Sequence, residues 1–321
     1  MTEAISDQRS LHAPIDIAKR SRSRKLVYLI CLMIALLVSC AEPVVSGGNT
    51  GPTIPSIDDD ASISLVTWNI QDFPQSGSKT IARVGLIMDS LDADFYCLQE
   101  IRDKSALQDV VNGLDQYSVI ISDDTYYLHL AIIYKQEYFL PVDVTSLFVR
   151  DDDNFAGRPP LKIAFAYELA GKEQVLNLID LHMKCCEEFP SDLERRHDAS
   201  VMLHDYIASS GAEGDSNFVV LGDWNDDIHD PDNSGQYAFE PFLNDRENFY
   251  FVTDSLAATR SVRNASYPSW NSFLDNILIS RSLFDEFTAS HVKTLLLDEV
   301  FGDYTTVVSD HRPVLWSFKP N

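Results

Sequence analysis

Phe218-Val219-Val220-Leu221-Gly222-Asp223-Trp224-Asn225-Asp226-Asp227 is a short β-branched apolar run that stops at a glycine and hands over to an aspartate and an asparagine two residues apart. Its length and composition predict a buried strand with two polar groups at its C-terminal end. Phosphate-ester chemistry uses such a pair: a carboxylate can orient and deprotonate water, and a neutral amide can hold a phosphoryl oxygen without repelling the attack. By itself Gly-Asp-x-Asn is equally a strand followed by an ordinary turn, because Gly, Asp and Asn are the usual turn residues.

Four other strand-like runs end in comparable residues. Ile63 to Trp68 ends at Asn69, Asp94 to Gln99 ends at Glu100, and Val175 to Leu181 ends at His182. The fourth, Val307-Val308-Ser309-Asp310-His311, precedes Arg312-Pro313-Val314-Leu315-Trp316. Taken together, in this order, these endings point to one polar site rather than to separate turns.

Thr67-Trp68-Asn69-Ile70, Leu98-Gln99-Glu100, Asp180-Leu181-His182, Gly222-Asp223-Trp224-Asn225, Leu274-Asp275-Asn276-Ile277-Leu278 and Ser309-Asp310-His311 span the chain from Ser62 to its end. In this order they resemble the endonuclease/exonuclease/phosphatase superfamily, the deoxyribonuclease I-like fold. His182-Met183-Lys184-Cys185-Cys186 with Glu194-Arg195-Arg196, and Tyr267-Pro268-Ser269-Trp270, are similar to a group of its bacterial lipoprotein members. The resemblance implies that Asp223 positions and deprotonates the attacking water, that Asn225 holds a non-bridging phosphate oxygen, and that His311 stabilises charge growing on the phosphorane. Asp275 would be the carboxylate partner of His311, and His182 would sit on the leaving-group side. Glu100, a hard oxygen ligand, would hold Mg²⁺ or Mn²⁺ with Asn69 and Asp310. Arg158 and Arg196 would be candidates to face the phosphate. Asn276 departs from the pattern, since related chains often carry His or Tyr there.

The chain has 321 residues, ordinary apolar content and a formal charge of −24, enough for a sizeable core. Residues 1–39 hold six of the 25 basic and three of the 49 acidic residues, so residues 40–321 carry a net −27. That excess argues against broad binding of a nucleic-acid backbone. A bound divalent cation with a local basic rim still permits a nuclease.

Lys19-Arg20-Ser21-Arg22-Ser23-Arg24-Lys25 forms a basic segment ahead of an apolar run, Leu26 to Val38, that is short for a membrane span. Leu37-Val38-Ser39-Cys40 is similar to a bacterial lipoprotein box. Residues 1–39 are therefore expected to be a signal peptide, with lipidation at Cys40; the alternative is an uncleaved signal anchor. Residues 40–61 are expected to be a flexible tether, and residues 62–321 one domain. The expected location is the cell envelope, lipid-anchored to a bacterial membrane and facing the periplasm or exterior.

Ile81, Val84, Ile87, Met88 and Leu91 repeat at helical spacing, as do Leu107, Val110, Val111 and Leu114, and Ala199, Met202, Leu203, Tyr206 and Ile207. Strands are expected at residues 117–122, 129–134, 142–149, 161–167 and 175–182. Consecutive strands interrupted by single helices predict a four-layered α/β sandwich, two packed and mostly antiparallel β-sheets flanked by helices. Cys97, inside an apolar strand, is expected to be buried. Cys185-Cys186 is left open between a vicinal disulfide and two thiols. The run from Asp226 to Gly235 has Pro241 rather than glutamate after it and is read as a solvated acidic loop, not a calcium site.

The expectation is an exported, divalent-metal-dependent phosphodiester hydrolase, with nucleic acid as the first candidate substrate. It would contact a membrane through its lipid anchor, and no protein partner is implied. The enzyme alternatives are a sphingomyelinase or phospholipase C-like activity, or a small-molecule phosphatase. The non-enzyme alternative is a surface-anchored binding module on the same fold. Trp270 would either flank the cleft or pack in the core.

Overall fold

The computed structural model describes residues 53–55, 57, 62–125, 127–186, 190–212, 214, 216–229 and 237–321. The expected leader, Cys40, most of the tether and residues 230–235 of the acidic loop lie outside them. Twelve strands are described: β1 (Ile63–Phe73), β2 (Phe95–Ile101), β3 (Tyr117–Ile121), β4 (His129–Lys135), β5 (Leu140–Ser146), β6 (Leu161–Leu169), β7 (Lys172–His182), β8 (Phe218–Asp223), β9 (Phe249–Phe251), β10 (Asp275–Ser280), β11 (His291–Thr294) and β12 (Val314–Phe318). They form two six-stranded sheets, ordered β11-β12-β1-β2-β4-β3 and β5-β6-β7-β8-β10-β9. The longer helices are α1 (Ser78–Leu91), α2 (Lys104–Asn112) and α3 (Pro190–Ala212). This is the expected four-layered sandwich.

The period of two along β1 shows why the layers form. Ile63 and Leu65 join the cluster between the sheets, whereas Val66, Trp68 and Ile70 join a second cluster with Val84, Ile87, Met88 and Leu91 of α1 and Leu107, Val110 and Val111 of α2. Between the sheets, Phe165 of β6 meets Phe95 of β2 and Tyr134 of β4 at ring centroid distances of 5.0 and 4.9 Å. Ala199, Leu203 and Ile207 bury one face of α3 in the core that includes β7 and β8. Asp103 caps α2 by accepting hydrogen bonds from the amides of Ser105 and Ala106, both at 3.0 Å. Among the described residues no helix is long and apolar enough to cross a membrane.

Several strand ends shift by a few residues, with β1 running on to Phe73, β6 to Leu169 and β7 starting at Lys172, and two differences have a clear cause. The strand expected over 142–149 runs from Leu140 to Ser146, because Phe148 adopts a left-handed φ of 59° and the Asp151 amide closes a turn on its carbonyl. As the edge of its sheet, β5 tolerates Pro141. The run Val307 to His311 is not a strand. Val307 ends a helical turn begun at Tyr304, and the amides of Val308 and Ser309 both bond to the Tyr304 carbonyl. Two adjacent valines fit either conformation, and packing on α1 decides it: Thr80 Oγ1 donates to the Val307 carbonyl at 2.6 Å.

Each sheet contains one parallel pair, β1 with β2 and β7 with β8; every other pairing is antiparallel. In the second sheet the register places His182, Asp223 and Asp275 side by side on β7, β8 and β10. The β7–β8 approach is close at Gly222, where an added Cβ would lie 2.9 Å from the Leu181 carbonyl carbon and nitrogen and nearer still to its oxygen. Backbone on both sides cannot yield as a side chain can. Gly222→Ala is expected to destabilise the fold by about 3 kcal/mol or more, seen as a lower chemical-denaturation midpoint with an unchanged m-value.

Candidate active site

Asp223 occupies the middle of the polar cluster and is 1% exposed. Its Oδ1 accepts the Asn225 amide at 2.9 Å and its Oδ2 accepts Asn69 Nδ2 at 3.0 Å. His182 Nε2 and His311 Nε2 lie 3.5 and 3.8 Å from the same Oδ2. Burial pushes the Asp223 carboxyl up to about 7, with the Asp275 charge adding to the rise and the His311 cation and the two hydrogen bonds opposing it. A carboxyl held near neutrality suits a general base.

The two histidines are in opposite states. Burial alone would lower His311, but the charges of Asp275 and Asp223, the Asp275 hydrogen bond and the Asp310 charge overcome it and raise it to about 10. Its Nδ1 donates to Asp275 Oδ2 at 2.8 Å, which leaves Nε2 facing Asp223. His182 is pushed well below the usual imidazole range by burial, then by the positive charges of Arg158 and His311. It is neutral, and its Nε2 is 3.9 Å from Glu100 Oε1.

Local backbone geometry aims these groups. Glu100 sits at an irregularity in β2, where pairing with β4 shifts register, and has a φ of 66°. Its Oε1 accepts Asn69 Nδ2 at 3.0 Å and its Oε2 the Asp72 amide at 2.9 Å. Asn225, with a φ of 52°, donates Nδ2 to the Met183 carbonyl at 3.0 Å and has a second amide hydrogen to offer. Non-glycine residues in this region cost about 1–2 kcal/mol each, a cost that the surrounding hydrogen bonds offset.

The structure brings Asn69, Glu100, His182, Asp223, Asp275 and His311 into one cluster, with Asn225 and Asp310 beside it. Asp310 is half-buried, and its amide donates to Gln71 Oε1 at 3.2 Å. Asn69 is tied into the site by both ends of its amide. Its Nδ2 bridges Glu100 and Asp223, and its Oδ1 accepts the Gln71 amide at 2.9 Å, so one carbonyl lone pair is left.

Arg196 does not face the cleft. It is 1% exposed, with Nε 2.9 Å from Asp226 Oδ2 and Nη1 donating to the Lys184 and Cys186 carbonyls at 3.0 and 3.1 Å. Arg158 is half-buried and donates to the His182 and Met183 carbonyls at 3.0 and 2.6 Å. Both arginines therefore brace the chain after β7. Arg158 nevertheless lies close enough for Asp223 and Glu100 to stabilise its cation. Asn276 is buried, accepts Thr253 Oγ1 at 2.8 Å and is turned to the opposite face from Asp275.

Several supporting residues carry no motif that separates them from ordinary core or loop positions. The His311 carbonyl accepts the Tyr304 hydroxyl at 2.7 Å, and that hydroxyl accepts Trp68 Nε1 at 3.0 Å, tying His311 to β1. Ser309 Oγ donates to the Asn69 carbonyl at 2.6 Å and accepts the His311 amide at 2.9 Å. Ser266 Oγ accepts the amides of Leu274 and Asp275. Tyr267 lies on the His311 ring, with centroids 4.9 Å apart at 56°. Trp270 meets Tyr267 edge-on at 5.3 Å and is 74% exposed, which places it at the lip rather than in the core.

Two places could hold a cation. Ligand atoms of Asp223, Asp275 and His311 lie within 4.8 Å of one another. An ion there must displace a proton from an imidazole whose pKa is raised to about 10. Glu100, Asn69 and Asp310 offer oxygen donors alone, the chemistry that Mg²⁺ and Mn²⁺ require, and Glu100 is pre-oriented by two hydrogen bonds. By donor type, the oxygen set suits these ions better.

In metal-free protein, the His311 imidazole is expected to stay cationic as pH rises through neutrality and to titrate near 10, followed by imidazole NMR. Asp275→Asn removes the partner charge and should bring that titration down by more than one unit.

A family model described as the Endonuclease/Exonuclease/phosphatase family matches residues 67–314. No curated protein sequence matches the chain. Among solved structures, Danio rerio TDP2 complexed with a single-strand DNA product is 15% identical, with a TM-score of 0.60 over 81% of this chain and 100% of its own. The human Nocturnin catalytic domain with bound sulfate is 17% identical, with a TM-score of 0.58 over 80% of this chain and 94% of its own. The Neisseria 3′ phosphatase NExo bound to a product DNA hairpin is 17% identical, with a TM-score of 0.56 over 80% and 99%. At these identities the structures establish the shared fold. The family match, which runs from the Thr-Trp-Asn segment of β1 into β12, establishes the membership: the chain belongs to the endonuclease/exonuclease/phosphatase family and is an enzyme of phosphoester bonds.

Proposed function

We propose that the protein is a divalent-metal-dependent phosphodiester hydrolase that acts on single-stranded or otherwise accessible nucleic acid. The observation that carries the chemistry is one buried carboxylate, Asp223, set between a cationic and a neutral histidine. In this reading a water oxygen attacks phosphorus, its proton passes to Asp223, and the bond to the leaving oxygen breaks. Asn69 and the Asn225 amide hold the carboxylate in place. The protonated His311 offers Nε2–H to a non-bridging oxygen as negative charge grows there, and Asp275 keeps the ring oriented and charged. Asn225 adds its remaining amide hydrogen. His182, neutral because it is buried, serves as a hydrogen-bond donor to a phosphate oxygen rather than as a proton source.

Glu100, with Asn69 and Asp310, would hold the Mg²⁺ or Mn²⁺, whose chemistry is to neutralise the phosphate and the leaving oxygen.

Trp270 and the relatives of the same fold favour nucleic acid within the phosphodiester class. Trp270 offers an exposed aromatic face at the lip above Tyr267 and His311, which suits a base beside the scissile phosphate. The acidic composition disfavours long backbone contacts, so recognition would be local to one phosphate and its neighbours. Relatives of the same fold are described with DNA products. We further propose that residues 1–39 export the protein and that Cys40 anchors it to the cell envelope, on the strength of the basic segment, the apolar run and the Leu-Val-Ser-Cys sequence.

The test is turnover by the full-length protein on single-stranded DNA, RNA, plasmid DNA, sphingomyelin and a generic phosphodiester, with Mg²⁺ and with EDTA. Metal-dependent cleavage of a nucleic acid is expected, with Asp223→Asn lowering kcat by about 10²–10⁴-fold. Trp270→Ala should raise KM on that substrate and leave the generic phosphodiester unchanged. Cleavage of sphingomyelin alone, or turnover that survives EDTA or Asp223→Asn, would sink this reading.

A further inference from the structure

The segment that leaves β7 is held at every carbonyl from His182 to Cys186. Arg158 takes the first two, Arg196 those of Lys184 and Cys186, and Lys184 Nζ that of Cys185 at 2.6 Å. At its end two sulfurs meet: Cys186 Sγ is 2.8 Å from Cys185 Sγ, inside ordinary sulfur–sulfur contact. Cys185 is half-buried and Cys186 is exposed, with a left-handed φ of 72°. The other described cysteine, Cys97, is buried between the sheets. The pair belongs to the mouth of the cleft. The Cys185 sulfur acts on the Arg158 guanidinium, which also senses Asp223 and Glu100, and Cys186 acts on the Tyr267 hydroxyl.

We propose that Cys185 and Cys186 form a thiol–disulfide exchange site whose reaction partner is the disulfide of a low-molecular-weight thiol. The exposed Cys186 thiolate attacks one sulfur of that disulfide, whose S–S bond breaks and releases the first small thiolate. Cys185 then attacks Cys186 Sγ, forming the Cys185–Cys186 bond and expelling the second. Two protons leave the cysteines for the two released thiolates, the protein pair is oxidised by two electrons, and the small disulfide is reduced by two. The product ring contains the Cys185–Cys186 peptide bond, so it is strained and readily reopened by excess thiol. Closing it turns that peptide, whose flanking carbonyls Lys184 and Arg196 hold, and disturbs the segment that fixes His182. This last consequence rests on the phosphoesterase reading; the exchange itself does not.

Full-length protein would be treated with oxidised glutathione, alkylated and mapped by mass spectrometry. The expected result is a peptide with Cys185 and Cys186 both unalkylated and lighter by two hydrogens, reverting to double alkylation after dithiothreitol. Cys185→Ser should instead trap glutathione on Cys186. Full alkylation after treatment, a stable glutathione adduct on the wild-type pair, or a disulfide-linked dimer through these residues would each overturn the exchange site. Turnover of the cleaved substrate should fall several-fold on oxidation and recover with dithiothreitol, while a Cys185→Ser, Cys186→Ser double variant ignores the oxidant. A disulfide that forms without changing turnover overturns the coupling to the site. Absence of any turnover in the reduced protein counts against the phosphoesterase reading and leaves the mass result to decide the exchange.

Discussion

Burying the Asp223 carboxylate is the constraint around which the rest of the site is built. A charge removed from water at this depth is costly unless donors and an opposite charge surround it. The fold supplies them from both sheets: Asn69 from β1, the Asn225 amide just beyond β8, and the His311 cation from the loop before β12. Compensation is incomplete, and the carboxyl stays near neutrality instead of falling into the range of an exposed aspartate. The same desolvation that makes the site costly leaves it a carboxyl that changes protonation near neutral pH. His311 in turn needs Asp275, which the antiparallel β8–β10 register sets beside Asp223. Three charged groups thus share one buried place, each stabilised by the next.

Burial also sets the two histidines apart, although in sequence each follows an aspartate within two residues. His311 has a carboxylate at hydrogen-bond distance on one nitrogen and a second carboxylate beyond the other. His182 has no partner for its buried Nδ1 in the described structure, and feels the positive charges of Arg158 and His311. The first is held as a cation and the second as a neutral ring. Proton transfer from His182 would require a charged form that its surroundings disfavour.

The layers and the site's principal residues were legible in sequence, because strands of period two and helices of period 3.6 leave different apolar patterns, and because strand ends carried Asn69, Glu100, His182 and Asp223. The two-sheet sandwich follows directly. What was not legible depends on contacts far apart in the chain. The valines before His311 fit a strand until α1 packs on them, and the Asn69 amide nitrogen gains its bridging place only because the distant Glu100 and Asp223 both meet it. Tyr304, Ser309 and Ser266 act through hydroxyl hydrogen bonds, mostly to backbone, which impose only a residue type and no spacing. Trp270 is decided by the Tyr267–Ser272 bridge that turns it outward.

Arg196 shows why local charge was a poor guide to phosphate contact. Two basic residues follow the His182 loop in sequence, and an arginine near a phosphate cleft invites assignment to the phosphate. The planar guanidinium, however, presents several donors in a fixed fork, which suits it equally to gathering backbone carbonyls. Lys184 and Cys186 offer carbonyls that have no strand partner once β7 has ended, and buried carbonyls must be satisfied. Arg196 answers that need and pairs with Asp226 just beyond Asn225, so one buried cation links the chain leaving β7 to the chain leaving β8. The two strand ends that carry His182 and Asp223 are therefore held to each other beyond the sheet as well as within it. This one buried arginine thereby helps fix the distance between the strand ends that carry the catalytic candidates.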